Sequence, residues 1–286
     1  MRGLLVALLL GQVLPACKGK AENAAPVALG VSSLRVKERG PAAHRLARFG
    51  EKQVEAFVRG RVESTPALAF LGKGPEGERK GYTLSVEYGL GPREGKEELA
   101  ALVVVRLDPG IGEGMPLESS LIAPLKDVGG DKKHHMERTL AAALMEVFWQ
   151  AKMVRCPPGA LVKALQAEKD MDRLLKLIPI AAERKIKDAV PQLIRLLSHE
   201  KRPVSDRAIG ALATLRDPRG VKPLTKLAKL RDSRRLAQVI DAVAAIGGAE
   251  AASFLDFLAG GHANATIRNL AREARARMTR AKTKSP

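Results

Sequence analysis

Across its C-terminal half the sequence repeats itself every 31 residues, and that period restricts the folds open to the chain more than any other feature. The segments AVPQLIRLL at 189, GVKPLTKLA at 220 and AASFLDFLA at 251 align in register. Leu193, Leu224 and Leu255 then share one column, and Leu196, Leu227 and Leu258 another. A second set agrees independently, because Ala208, Ala211, Leu212 and Leu215 recur 31 residues later as Val239, Ala242, Val243 and Ile246. Apolar residues three and four apart mark one face of a helix, so each period holds two helices. One such pair buries too little to fold alone. Neighbouring pairs must stack and share a continuous apolar stripe, which gives a short curved solenoid of about four helix pairs.

The stretch DRAIGALATLRDPRGVKPLTKLA resembles HEAT repeats. That family places Ala-x-x-Ala-Leu on one helix, then Asp-Pro, then Val-x-x-Leu-x-x-Leu on the next. Ala208, Ala211, Leu212, Asp217, Pro218, Val221, Leu224 and Leu227 meet the pattern, and Ile267, Arg268, Ala271 and Ala274 fit the second-helix form near the end. In the following repeat Asp217 and Pro218 give way to Gly247 and Gly248, so the loops vary. The resemblance extends over residues 159–281 and implies an all-α solenoid whose extended surface binds rather than catalyses.

Residues 31–155 read differently. Aromatics make up only 3% of the chain, so any core must be built from Leu, Ala, Val and Ile. GEKQVEAFVRGRV sets Val54, Phe57, Val58 and Val62 at helical spacing. In YTLSVEY the large residues Tyr82, Leu84, Val86 and Tyr88 alternate with polar ones, which marks a strand with one wet face. LAALVVVRL is apolar almost throughout and reads as a strand covered on both faces, with GLGPREGKE as the hairpin loop between the two. A short strand is expected near MPLESSLIAPL, and MERTLAAALMEVFWQAKMV sets Leu140, Leu144, Val147, Phe148, Ala151 and Val154 on one side of a long helix. The expected fold class is therefore an α+β N-terminal domain followed by an all-α HEAT-like solenoid. Pro157 and Pro158 break the helical pattern between them.

At the amino terminus, GLLVALLLGQVL after Arg2 has the length of a signal-peptide core and is too short to span a bilayer. The LPAC that closes it, Leu14 to Cys17, resembles the lipobox of bacterial lipoproteins, although Pro15 stands where a small residue is usual. The resemblance implies cleavage before Cys17, acylation of its thiol and, with Lys18 next to it, an outer-membrane destination facing the periplasm. Residues 1–16 are then the signal, 17–30 a lipid-anchored tether and 282–286 a basic tail. With Cys17 acylated, Cys156 is left as a single free thiol.

Net charge is +18 and unevenly placed. Residues 1–150 hold 21 basic against 18 acidic side chains, and residues 151–286 hold 28 against 13. Helical spacing puts Lys222, Lys226 and Lys229 on one face of a first helix, and Arg268, Arg272 and Arg275 on one face of the last. These six are the candidate docking residues for an acidic protein partner in the envelope. For the arginines a polar cap on a helix with no outer neighbour is the competing reading. His134 and His135 are adjacent and cannot point at one metal ion from a regular element, so with Asp131 they read as a polar cluster at a helix start. GLGPREGKE lacks the first glycine and the hydroxyl of a phosphate-binding loop. No spacing suggests a catalytic group, and neither a metal nor a cofactor is expected.

The function expected is a non-enzymatic, lipid-anchored cell-envelope scaffold. A cytoplasmic nucleic-acid binder is the alternative that the basic half suggests. A HEAT-like bilin-lyase-type enzyme is a third, resting on fold analogy alone. If the anchor is real, Cys17→Ala moves the protein from the detergent phase to the aqueous one on phase partitioning, because diacyl and amide-linked chains together far exceed marginal membrane affinity. Unchanged partitioning overturns the anchor.

Overall fold

The computed structural model describes residues 29–41, 44, 46, 49–71, 81–92, 98–110, 114–125, 131–227 and 232–283, and the backbone alone for 281–283. Cys17 and Lys229 lie outside the described residues. The chain divides after Cys156 into two compact units, one ending at that residue and the other beginning at Pro157.

The first unit is a five-stranded mixed sheet with two helices. Strands β1 (Leu29–Glu38), β2 (Leu68–Phe70), β3 (Tyr82–Pro92), β4 (Leu99–Asp108) and β5 (Leu117–Pro124) lie in the order β2-β1-β3-β4-β5. β1 runs parallel to both neighbours, and β3, β4 and β5 form an antiparallel meander. Helix α1 (Glu51–Glu63) connects β1 to β2 and packs on both, while α2 (Lys132–Arg155) packs on β4 and β5. Register explains the core. Val86 lies opposite Val105, Tyr88 opposite Val103 and Leu84 opposite Leu107, and all six are buried together with Val54, Val58, Leu140, Leu144 and Val147.

Three features of this unit depart from what the sequence suggests. The expectation that LAALVVVRL is covered on both faces does not hold: Leu102 and Val104 are half-buried and Arg106 is exposed. Both helices serve one face, and the other carries Arg39 paired with Glu87 at 2.7 Å and Arg106 paired with Glu118 at 2.9 Å. Gly89, Leu90 and Gly91 belong to β3 rather than to a loop. Gly89 is required there, since a Cβ would meet the Arg39 carbonyl oxygen at 2.0 Å where the end of β1 crosses. Finally, β1 itself escapes a period-two reading because its register to β3 shifts between Val31 and Ser33. Such a bulge moves the inward positions from Leu29 and Val31 to Leu34 and Val36.

The second unit consists of helices in four successive pairs: α3 (Pro158–Ala167) with α4 (Met171–Glu183), α5 (Val190–Leu196) with α6 (Arg202–Leu215), α7 (Val221–Leu227) with α8 (Ser233–Ile246), and α9 (Ala249–Gly261) with α10 (Ala265–Thr283). The second helices pack in series, α4 on α6, α6 on α8 and α8 on α10, which is the stacking of a solenoid. Leu193, Leu224 and Leu255 are each fully excluded from water. In the neighbouring column Leu196 and Leu227 are half-buried and only Leu258 is buried.

The second helices hold the period as well. Leu212, Val243 and Ala274 form one buried column, and Ile209, Ile240 and Ala271 another. Even the backbone repeats. A residue of positive φ follows α4, α6 and α8 at the same point of the period, Lys185 (φ 53°), Arg216 (φ 48°) and Gly247 (φ 80°), though Arg216 is left-handed helical (ψ 38°) and Gly247 extended (ψ −165°). Because Leu224 is enclosed on all sides, Leu224→Asp costs roughly 4 kcal/mol of the solenoid's stability. A variant that melts at the wild-type temperature contradicts the register.

Candidate functional site

The surface of the solenoid is organised by polar groups that first hold its own loops. Asp217 follows α6, is only 6% exposed and accepts from the Arg219 amide at 3.0 Å. The Arg219 guanidinium returns to the same carboxylate through Nε and Nη2, both at 2.9 Å, and Nη2 also donates to the Lys187 carbonyl of the preceding inter-pair loop at 2.9 Å. A two-pronged pair of this kind fixes direction as well as distance. The Arg219 hydrogen bond holds the Asp217 carboxyl below its usual range, against the opposing effect of burial.

A second latch joins successive second helices. Asp232 caps α8 by accepting from the amides of Arg234 and Arg235, and the Arg202 guanidinium at the start of α6 reaches it at 2.6 Å. Those backbone donors, followed by the Arg202 charge, lower the Asp232 pKa. Arg235 then donates to the Leu197 carbonyl at 3.2 Å and to the fully buried Ser205 hydroxyl. The Asp-Pro pattern singles out Asp217, but Arg202, Asp232 and Arg235 carry no sequence signal beyond their charge.

Against this background the two basic trios differ. Lys222 and Lys226 stand exposed on α7 one turn apart. Arg268 donates to the His262 and Ala263 carbonyls at 2.7 and 2.9 Å, and Arg272 to the Ala259 carbonyl at 3.2 Å. Arg275 binds the Asp256 carboxylate at 3.0 Å. Arg268 and Arg272 therefore satisfy carbonyls at the end of α9, and Arg275 adds a side-chain tie between α9 and α10, as a polar cap does. A helix terminus leaves carbonyls without intrahelical donors, and cations beside it are favoured by its dipole. The described lysines lie on a first helix and the arginines on a second helix.

Other candidates resolve into structural roles. Asp131 accepts from the His134 amide at 2.9 Å and so caps α2, while the buried His135 ring contacts the Ala123 carbonyl at 3.3 Å. Among the described residues no group of three or more His, Cys, Asp or Glu could hold a metal ion. Cys156 is a buried thiol whose Sγ donates to the Met153 carbonyl at 3.3 Å. A groove of about 480 Å³ opens between α4 and α6, where Pro179, Gly210 and Ala211 leave room and Glu183, Asp206 and Arg207 supply charge.

Helix pairs in series, an Asp-Pro turn latched by arginine and a 31-residue period define a helical-repeat solenoid over the second unit. Residues 190–276 match the family model of HEAT repeats, under a third of the chain. A crystal structure of an engineered protein is similar at 20% identity with a TM-score of 0.31, covering 53% of this chain and 76% of that one, a likeness too loose to bear on fold or function. No curated protein matches the chain.

The Asp217 latch sets a pH dependence. Its folded pKa lies below the unfolded value, so its stabilisation is complete above about pH 4 and disappears as the pH falls through the folded pKa. Asp217→Ala costs about 1.5 kcal/mol at pH 7, from the lost cap and ion pair. Chemical denaturation of both proteins from pH 7 down to pH 2 shows the gap narrowing; a gap independent of pH rules out the ionic latch.

Proposed function

We propose that this chain is a non-enzymatic scaffold of the bacterial cell envelope, held to a membrane through an acylated Cys17, whose HEAT-repeat solenoid engages an acidic protein partner. The observation that carries the reading is the stack of helix pairs, which presents a long surface while its conspicuous polar groups are used on its own loops. What remains outward on α7 is cationic. Lys222 and Lys226 are exposed and make no ion pair among the described residues, which leaves their charge available to a partner. Exposed charges of this kind govern encounter and selectivity more than packing.

The membrane part of the reading rests on the apolar run and LPAC at the amino terminus. Among the described residues no helix is long and apolar enough to cross a membrane. A lipid on Cys17 would supply the attachment, with 17–30 as the tether.

Replacing Lys222, Lys226 and Lys229 together by Glu abolishes affinity capture of an envelope partner while the melting curve stays that of the wild type. Retention of the partner overturns a role for this face. Duplex DNA binding that weakens steeply with salt, with a slope flattened by the same substitutions, transfers the charge to nucleic acid instead.

A further inference from the structure

We infer that the outward face of α5, α7 and α9 reads an extended acidic segment of the partner protein in a fixed register, one partner side chain per helix. This inference rests on the scaffold reading above and deepens it by naming the chemistry of the partner. Applying the 31-residue period to Lys226 gives Arg195 on the preceding first helix and Phe257 on the following one. All three are exposed, Phe257 at 73%. One turn earlier the same column runs Pro191, Lys222 and Ser253; the acidic side chains nearest Phe257 are Asp256, already bound to Arg275, and Glu250 two turns before it.

The three helices follow one another along the solenoid. α7 packs on α9, and α5 packs on the short 3-10 turn, Pro218–Gly220, that leads into α7. Arg195 and Lys226 make no ion pair among the described residues, unlike Arg275 and Arg277 of α10. Phe257 is equally without cover. Its neighbours Leu255 and Leu258 are buried in the last pair and Phe254 is packed against them, so the helix has an inner face and Phe257 is not on it. A phenyl ring has no polar handle to justify exposure, and a large apolar side chain beside two unpaired cations is suited to a ligand that is acidic with an apolar end.

The spacing fixes the ligand further. Helices in direct contact, as α7 and α9 are, lie about 8–10 Å apart, and an extended chain advances about 3.3 Å per residue. Three residues therefore carry a peptide from α7 to α9, and we extend the same interval back to α5, which meets this row through the Pro218–Gly220 turn. The matching sequence places two carboxylates three residues apart, facing Arg195 and Lys226, and an apolar side chain three residues further on, against Phe257. Charge complementarity selects the acid, and the ladder selects the interval. A phosphate backbone also carries charge at regular intervals, but it offers no apolar side chain against Phe257.

The test uses the full chain in detergent and two fluorescent synthetic peptides of identical composition. One has glutamates three residues apart followed by a leucine three further on; in the other the glutamates are adjacent. Anisotropy at about 0.15 M salt, where surface charges act over about 8 Å, is expected to show the spaced peptide binding about tenfold more tightly. Arg195→Glu and Lys226→Glu each weaken it about tenfold, and Phe257→Ser weakens it about fivefold with little dependence on salt. All three sites are exposed, so circular dichroism melts should match the wild type. Equal binding of the two peptides overturns the inference, as do variants that bind like the wild type. It is also overturned if anionic vesicles or duplex DNA bind with the same dependence on Lys226 and none on Phe257. If the wild type still captures a partner that these variants do not lose, the strip falls and the scaffold reading stands. If the wild type captures no partner at all, the scaffold reading itself falls, while the peptide comparison still decides the strip.

Discussion

The C-terminal unit exists because no helix pair can enclose its own leucine. Leu193, Leu224 and Leu255 are wholly shielded, yet each sits on a first helix of seven or thirteen residues that would be marginal in isolation. Shielding comes from the adjacent pair, and each pair in turn depends on its neighbour. Stability in such a stack is the sum of weak units and the interfaces between them, so the interfaces determine whether the unit folds. The polar latches follow from the same constraint. Once pairs are pressed together, the loops between them are drawn inward, and a partly buried carboxylate such as Asp217 must be met by a cation.

The N-terminal unit solves a different problem with similar economy. Its sheet is wet on one side, so its inner face must be well filled, and Tyr88 shows how: it is buried, packs edge-on to Phe49 with ring centroids 6.3 Å apart, and directs its hydroxyl to the Phe49 carbonyl at 3.4 Å. The outer face is kept soluble by cross-strand charge pairs such as Arg106 with Glu118, which lie opposite each other in the register. Those pairs are exposed and contribute little to stability. Their value is in making the face polar.

Much of this was legible in the sequence because period and packing are the same fact in a repeat. The columns through Leu193 and Ala208 mark the buried stripe directly, and the alternation in YTLSVEY marks the inner face of β3. What was not legible has physical causes. β1 conceals its alternation behind the bulge at Val31 and Ser33, and β2 is only three residues long. LAALVVVRL is apolar on both faces because Leu102 and Val104 tolerate partial exposure, which composition cannot reveal. On the solenoid, helical spacing identifies cations but not their acceptors. Arg268 and Arg272 are occupied by backbone carbonyls, groups that every residue carries and no pattern announces.

Two buried columns of the second helices shrink along the chain, from Leu212 through Val243 to Ala274 and from Ile209 and Ile240 to Ala271, while a third, nearer the start of those helices, grows from Ser205 through Leu236 to Ile267. Dispersion and apolar burial scale with the atoms present, so the bulk of the stripe moves toward the first turns of the second helix as the repeat proceeds. In α10 the turns that follow Ile267 bury only Ala271 and Ala274 and are fastened by Arg275 to Asp256. Opening of α10 should therefore begin in its later turns, where amide exchange is faster than in the matching turns of α6. The last helix is graded along its own length, firm where it enters the stack and looser beyond.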